Sequence, residues 1–132
     1  MSVFVDTSAL LAVLNADDEF HAPARRMWGE LLQRAEDLFC TNYVLVECFA
    51  LVQSRLGIAA VRVLVEDVLP VIRVHWVSPE EHQAGVSALL TAGRRDLSLV
   101  DCLSFHSMRQ LGVLDAFAFD RDFSDQGFRL LE

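Results

Sequence analysis

Four acidic residues lie in stretches of the chain that are otherwise apolar. Asp6 and Asp120 each follow an apolar run, Glu47 is the only charge between positions 44 and 52, and Asp101 interrupts a third apolar segment. Burying an ionised carboxylate among apolar neighbours is costly unless a partner neutralises it. Four such carboxylates, spread over the whole chain, indicate one shared partner of high positive charge, and a divalent metal ion is the simplest.

The chemistry typical of such a cluster is metal-assisted hydrolysis of a phosphodiester bond. No His or Cys shares a ligand spacing with the acids, and oxygen ligands alone favour Mg²⁺ or Mn²⁺ over Zn²⁺. Such ions lower the pKa of an attacking water, hold the phosphate in line and neutralise the leaving oxygen. Ser8 and Ser98 stand close enough in sequence to orient ligands or waters around the ion.

Three of the acids also have a local structural explanation. Asp6 could be a helix cap, Asp101 could form a capping box with Ser98, and Asp120 and Asp122 could be turn residues. A structural role and a role in a site therefore stay open for each of them at this point.

Glu47 has no comparable local explanation. It lies in the middle of a predicted apolar helix and has no basic residue three or four positions away to pair with. A joint site explains all four acids better than four separate structural roles do.

Length and composition favour one compact domain, predicted over residues 1–132, of which 53% are hydrophobic. No apolar stretch reaches the roughly 18 to 20 residues of a membrane span, and we expect no secretion signal. The three cysteines are an odd set in apolar surroundings, which favours buried free thiols and a cytoplasmic location. A net charge of −8 argues against binding to nucleic acid through a broad basic surface.

Apolar runs alternate with amphipathic segments along the chain. Strands are predicted over 2–5, 38–41, 71–77, 113–119 and 127–131. Helices are predicted over 9–14, 23–35, 42–55, 59–68, 79–92 and 98–111, with Asn42 as the cap of the third and a loop over 120–122. Because most strands are apolar on both faces, the pattern indicates an α/β fold whose central parallel sheet has four to five short strands and helices on both faces. Ligands bind beyond the carboxyl ends of such strands, where Asp6 and Asp120 lie.

Four segments that contain the acids match one family in order and spacing. They are FVDTSALL over 4–11, TNYVLVE over 41–47, LSLVDC over 97–102 and FDRDF over 119–123. On these segments, which span nearly the whole chain, the sequence resembles the PIN domain. It resembles in particular the toxin ribonucleases of bacterial type II toxin–antitoxin modules, the VapC type.

This resemblance implies a site and an activity. Asp6, Glu47, Asp101 and Asp120 would bind Mg²⁺ or Mn²⁺, with Asp6 and Asp101 as the most direct ligands and with Ser8, Ser98 and Asp122 around them. The implied reaction is endonucleolytic hydrolysis of RNA that leaves a 5′-phosphate, and the implied partners are a cognate antitoxin and a second copy of the chain. Many relatives carry a hydroxyl residue where this chain has Ala118, so either Asp120 or Asp122 could complete the quartet.

Three other functions are alternatives to this one. Phosphoryl-transfer α/β domains also place acids at strand ends, but they normally use a lysine, and all eleven basic residues of this chain are arginines. A non-catalytic PIN-like binding module would be expected to lack some of the acids. A nuclease that acts on DNA remains an alternative, since no residue pattern reads the 2′-hydroxyl of RNA. The pair Arg94-Arg95 is explained equally well as a phosphate contact and as a turn.

Overall fold

The computed structural model describes residues 1–131, and Glu132, the last residue of the predicted domain, lies outside them. The described strands are β1 (Ser2–Val5), β2 (Asp37–Thr41), β3 (Arg73–His75), β4 (Asp115–Phe117) and β5 (Arg129–Leu130). They form one parallel sheet in the order β3-β2-β1-β4-β5. The predicted α/β class with a central parallel sheet is confirmed.

Helices connect the strands and cover the sheet. The described α-helices are α1 (Thr7–Leu14), α2 (His21–Gln33), α3 (Asn42–Leu56), α4 (Ile58–Val63), α5 (Pro79–Ala92), α6 (Leu99–Leu111) and α7 (Asp122–Asp125). A π-helical turn (Leu64–Val68) and a 3₁₀ turn (Leu69–Val71) follow α4. The helix predicted over 59–68 is therefore regular only as far as residue 63. The chain first widens into the π-helical turn and then tightens into the 3₁₀ turn at Pro70, which has no N–H to donate.

The central strand is buried on both faces. Val3, Phe4 and Val5 on β1 are each at most 2% exposed, which requires a layer of helices on either side. Val5 lies opposite Phe117 of β4. The chain therefore leaves β1 and β4 at the same edge of the sheet, where Asp6 follows the first strand and the segment to Asp120 follows the second.

Three predicted strands are shorter in the structure, since their end residues bond elsewhere. The strand predicted over 127–131 is reduced to Arg129–Leu130, because the N–H groups of Gly127 and Phe128 donate to carbonyls of Ser124 and Phe123. The N–H of Val113 donates to the carbonyl of Met108 at the end of α6, and the N–H of Phe119 donates to the Ser8 hydroxyl. Strand β4 therefore has three residues rather than the seven predicted. At 71–77, the first residue belongs to the 3₁₀ turn and β3 covers only Arg73–His75.

Helix α7 was not predicted, because its sequence reads as a polar loop. Its one buried residue, Phe123, packs against the rings of Phe4, Phe105 and Phe128 at centroid distances of 6.0, 5.0 and 6.4 Å. Burying a Phe side chain is worth roughly 1.5–3 kcal/mol. This single anchor holds the polar segment around it as a helical turn.

The cap of α3 differs by one residue from the prediction. Thr41 is the N-cap, and its hydroxyl accepts a hydrogen bond from the N–H of Val44 at 3.1 Å. Asn42 is the first helical residue, and its side-chain oxygen accepts from the N–H of Val77 after β3 at 2.7 Å. The prediction that Asn42 caps the helix is wrong because a tertiary contact engages its side chain.

The three cysteines, Cys40, Cys48 and Cys102, are free and buried, as predicted. Burial raises the pKa of the Cys40 and Cys48 thiols to about 12. They therefore behave as small apolar side chains. Within residues 1–131, none of the helices combines the length and the apolar character that a bilayer crossing requires.

Candidate functional site

A cleft of about 250 Å³ opens at the carboxyl edge of the central strands. Its lining residues are Asp6, Thr7, Ser8, Leu11, Glu47, Leu51, Arg55, Ser98, Asp101 and Asp120. The structure thus brings together the four acids and the two serines that the sequence singles out. They come from the start of α1, from α3, from the start of α6 and from the segment after β4, so only the folded chain assembles them.

Asp6 is the most deeply buried of these acids, with 4% of its surface exposed. It caps α1, and its Oδ2 accepts hydrogen bonds from the N–H of Ser8 at 3.1 Å and from the hydroxyl of Ser8 at 2.6 Å. The pKa of Asp6 is raised to about 7: burial is the main cause, the neighbouring Asp101 and Asp120 carboxylates add to the rise, and the Ser8 bonds oppose it. The folded chain therefore holds this carboxylate without the counter-charge that its burial calls for.

Ser8 connects the two strand ends that border the cleft. Its hydroxyl donates to Asp6 and accepts a hydrogen bond from the N–H of Phe119 at 3.0 Å. Since Phe119 directly precedes Asp120, the same hydroxyl fixes the orientation of the first acid and the position of the last. The buried Ala118 offers no hydroxyl here, and Ser8 supplies the one that binds this segment.

Asp101 combines the structural explanation with a place in the cleft. It forms a capping box with Ser98: the N–H of Asp101 donates to the Ser98 hydroxyl at 3.0 Å, and the N–H of Ser98 donates to Asp101 Oδ2 at 3.1 Å. Burial raises the pKa of Asp101, the neighbouring Asp120 and Glu47 carboxylates add to the rise, and the Ser98 bonds lower it. The capping box orients the Asp101 carboxylate, and the position of α6 in the fold places that carboxylate beside the other acids.

Both acids that follow β4, Asp120 and Asp122, lie close to Asp101. One carboxylate oxygen from each of Asp101, Asp120 and Asp122 lies within 4.8 Å of the other two. The N–H of Asp122 donates to Asp120 Oδ1 at 2.9 Å, so the backbone of Asp122 orients the Asp120 carboxylate. Arg94 donates to Asp122 Oδ1 at 3.0 Å and also pairs with Asp96. Asp120 lines the cleft itself, and Asp122 lies beside it with an arginine partner.

Glu47 lies on one face of α3 with two other residues of the cleft. Glu47, Leu51 and Arg55 follow one another at intervals of four, which places them on the same side of a helix. Glu47 is half-buried and makes no hydrogen bond or ion pair within residues 1–131. Arg55 was not singled out in the sequence, although its spacing from Glu47 is the signal that identifies it.

Thr7 is a second residue that the sequence reading did not single out. It lines the cleft, is 4% exposed, and its Oγ1 is buried without a hydrogen-bond partner in the described part of the chain. A buried hydroxyl ordinarily has a partner. An orphaned hydroxyl in the wall of an acidic cleft is consistent with a site completed by a bound ligand or water.

The donor set fits a hard divalent cation. The polar lining consists of carboxylates, hydroxyls and Arg55, with neither His nor Cys among the residues described there. Mg²⁺ and Mn²⁺ prefer such oxygen ligands. The unneutralised charge around Asp6 and the orphaned hydroxyl of Thr7 point the same way.

A sequence model of the PIN domain family matches residues 3–129 of the chain. The chain belongs to the PIN domain family. It is also 36% identical over 127 residues to the 23S rRNA-specific endonuclease VapC20 of Mycobacterium tuberculosis, an alignment that covers 96% of this chain and 95% of the relative. The resemblance to VapC-type PIN domains is thereby confirmed.

Solved structures share the fold of this PIN domain. The crystal structure of M. tuberculosis VapC20, described as a sarcin–ricin loop cleaving toxin, superimposes with a TM-score of 0.83 at 35% identity, covering 96% of each chain. FitAcB from Neisseria gonorrhoeae gives a TM-score of 0.71 at 15% identity over 100% of this chain and 97% of that one. VapBC2 from Rickettsia felis, bound to a DNA fragment from its promoter, gives 0.69 at 12% identity over 98% and 97%. Because FitAcB and VapBC2 have low identity to this chain, they show only that the fold is shared.

Proposed function

We propose that this PIN domain is a metal-dependent endoribonuclease that hydrolyses RNA phosphodiester bonds and serves as the toxin of a toxin–antitoxin pair. The observation that carries the proposal is the convergence of Asp6, Glu47, Asp101 and Asp120 on one cleft where the chain supplies too little positive charge to neutralise them. A non-catalytic binding module would have no need to keep a carboxylate like Asp6 buried and unpaired, because such burial costs stability.

The acids of the cleft would hold a Mg²⁺ or Mn²⁺ ion, with Asp6, Asp101 and Asp120 as its ligands. When bound, the ion activates water and neutralises charge that develops on the scissile phosphate. Ser8 and Ser98 hold the Asp6 and Asp101 carboxylates in place before any ligand arrives. This preorganisation reduces the cost of assembling the site.

Glu47 and Asp122 would act at the border of the cluster. Glu47 offers a carboxylate with no hydrogen-bond or ion-pair partner in the described chain, which would suit it to accept a hydrogen bond from a water molecule in the cleft. Asp122 is oriented by Arg94 and supports Asp120 through its N–H. We assign the fourth position of the quartet to Asp120 and a supporting role to Asp122.

RNA is the proposed substrate because the relative at 36% identity is an rRNA-specific endonuclease. An RNA stem–loop that contains the sarcin–ricin loop is the first substrate to test, since the structural relative is described as cleaving that loop. The products would carry a 5′-phosphate and a 3′-hydroxyl, as the family resemblance implies, because water attacks the phosphorus and the 3′-oxygen of the preceding nucleotide leaves.

A cognate antitoxin and a second copy of the chain are the proposed protein partners. The antitoxin is suggested by the toxin described for VapC20, which a cell must be able to inhibit. We propose a cytoplasmic location on the basis of the three free, buried cysteines, which suit a reducing compartment. We further infer that residues 1–132 act as a single nuclease domain.

The test is cleavage of sarcin–ricin loop RNA by the purified protein in Mg²⁺ or Mn²⁺. We expect cleavage that EDTA abolishes and that Asp101→Asn lowers at least about a hundredfold, since an ion bound by these ligands contributes several kcal/mol to catalysis. Asp67→Asn, which changes an exposed acid outside the cleft, is the matched control and should leave the rate unchanged.

Three results would contradict parts of the proposal. Cleavage that persists in EDTA would exclude a metal-dependent reaction. Equal rates for Asp101→Asn and Asp67→Asn would show that the activity does not belong to the acidic cleft. A DNA strand of the same sequence, cut as fast as the RNA, would exclude the preference for RNA.

A further inference from the structure

A second cleft adjoins the acidic one. It has a volume of about 390 Å³ and is lined by Ser8, Leu11, Asp18, Glu19, Phe20, Arg55 and Phe119. Three of these residues, Ser8, Leu11 and Arg55, also line the acidic cleft. The two clefts therefore share a wall. An RNA strand bound at the acidic cleft would continue into the second cleft.

The second cleft carries a preassembled aromatic surface. The rings of Phe20 and Phe119 stack at a centroid distance of 4.8 Å and an angle of 9°. Each residue is fixed at its backbone: the N–H of Phe20 donates to Asp18 Oδ1 at 2.8 Å, and the N–H of Phe119 donates to the Ser8 hydroxyl at 3.0 Å. Phe20 is nevertheless 38% exposed, so part of this ordered, apolar ring remains open to solvent.

Arg55 supplies the positive charge at the junction of the two clefts. It is exposed, and it forms no ion pair among residues 1–131, in contrast to Arg94, which binds two carboxylates nearby. Among the described residues that line the two clefts, Arg55 is the one basic residue, and it lines both. An unpaired guanidinium beside an acidic cleft is available to a phosphate group, which guanidinium binds through two parallel hydrogen bonds.

We propose that the second cleft is a nucleotide subsite, in which Phe20, backed by Phe119, stacks on a base of the RNA and Arg55 binds the phosphate between that base and the cleavage site. This rests on the proposed ribonuclease function. The base rather than the backbone occupies the cleft, because Asp18 and Glu19 on its wall repel a phosphate. Phe20 and Arg55 are thus positioning residues that decide which nucleotide lies beside the scissile bond.

The first arm of the test measures cleavage of sarcin–ricin loop RNA. Stacking on an aromatic side chain is worth about a tenfold change in affinity. We expect Phe20→Ala to raise KM about tenfold with little change in kcat, and Phe20→Leu to do the same because it keeps apolar volume without a ring face. Leu114→Ala, which removes an exposed apolar side chain far from both clefts, should cleave as wild type. Thermal melting checks that each variant is folded.

Abasic substitution separates stacking from a merely structural role of Phe20. RNAs with one abasic nucleotide, scanned through the positions that flank the cleavage site, should include one position where the wild type loses about tenfold in kcat/KM. Phe20→Ala should lose nothing further at that position. If Phe20→Ala and the abasic nucleotide each lowered kcat/KM independently at every position, so that the two losses multiplied, the stacking assignment would be overturned.

The role of Arg55 is tested by substitutions that remove or keep its positive charge. Arg55→Ala should raise KM about tenfold and weaken its dependence on salt, and Arg55→Lys should recover part of the loss because it restores the charge without the fork. Arg62→Ala, an exposed arginine on α4 outside both clefts, is the control. Wild-type kinetics for both Arg55→Ala and Phe20→Ala would overturn the proposal.

A binding experiment distinguishes a failure of the proposed subsite from a failure of the proposed ribonuclease function. Binding of the same labelled RNA is measured by fluorescence anisotropy in Ca²⁺, without turnover. If the wild type cuts no RNA, the ribonuclease function fails, yet weaker binding by Phe20→Ala and Arg55→Ala would still support the subsite. Absence of binding, or equal binding by all variants, would overturn the subsite on its own.

Discussion

Asp6 and Asp115 are buried to the same extent, 4% exposed each, but only one of them has a counter-charge. Asp115 begins β4 and accepts hydrogen bonds from Arg129 at both oxygens, at 2.6 and 2.9 Å. Asp6 follows β1 at the opposite edge of the sheet and faces Asp101 and Asp120. Burial of an acid alone therefore does not identify a site in this PIN domain, whereas burial without a partner does.

The same contrast extends along the two edges of the sheet. At the amino edge, Asp37 begins β2 and pairs with Arg73 of β3, and hydrogen bonds from Arg73 and Ser2 hold the pKa of Asp37 below its usual value. At the carboxyl edge, burial raises the pKa of Asp6 and Asp101 instead. The chain thus neutralises Asp37 and Asp115 at one edge with its own arginines, and it leaves Asp6 and Asp101 at the other edge without a basic partner in the described residues.

The largest expected effect is on the stability of the metal-free protein. The pKa of Asp6 rises from 3.8 in its ordinary state to about 7 in the fold. Between these values the unfolded chain releases a proton that the folded chain keeps, so stability falls as pH rises from 4 to 7. Asp6→Asn removes this penalty, at most about 4 kcal/mol at pH 8. Urea unfolding in EDTA at pH 5 and pH 8 should show a gain that is larger at pH 8.

Asn caps a helix as well as Asp does, so the α1 cap survives this substitution. An equal loss of stability at both pH values would mean that Asp6 is an ordinary structural acid, and the contrast with Asp115 would disappear.

Asp115 should respond in the opposite direction. Asp115→Asn removes a charge-assisted, two-pronged contact with Arg129 and should lower the free energy of unfolding by about 2 kcal/mol. The folded variant should still cleave RNA at the wild-type rate, because the substitution lies at the far edge of the sheet. Chemical unfolding and a cleavage assay on the same sample measure both effects, and a selective loss of cleavage would contradict the division between the edges.

A smaller effect is expected for Glu47→Gln. Since the Glu47 carboxylate has no hydrogen-bond or ion-pair partner in the described chain, unfolding should be little changed, while cleavage should fall about tenfold. Glu66→Gln, at an exposed position, is the control and should alter neither property. A loss of stability without a loss of cleavage would assign Glu47 a structural role.

The sequence predicts the sheet well, because strands that are apolar on both faces can be buried only in its middle. It fails where a distant contact decides the outcome. Phe123 anchors α7 through the rings of Phe4, Phe105 and Phe128, and Val77 engages the Asn42 side chain, so neither feature leaves a local signal.

The convergence of four acids on one cleft could be predicted because each of them follows or interrupts an apolar run. The same criterion also applies to Asp115, which lies between apolar residues on β4, and nothing local distinguishes it from Asp6. The difference is Arg129, fourteen residues away, which only the fold places beside it. The Phe20–Phe119 pair joins residues ninety-nine positions apart and was likewise beyond a local reading.

The central claim is that the acids at the carboxyl edge lack a counter-charge that a divalent cation supplies. Isothermal titration calorimetry of the metal-free protein with Mn²⁺ tests it most directly, with Asp101→Asn and Asp115→Asn run beside the wild type. Saturable binding is expected for the wild type and for Asp115→Asn, with a loss of at least about tenfold in affinity for Asp101→Asn. No binding by the wild type, or equal affinity in all three proteins, would contradict it.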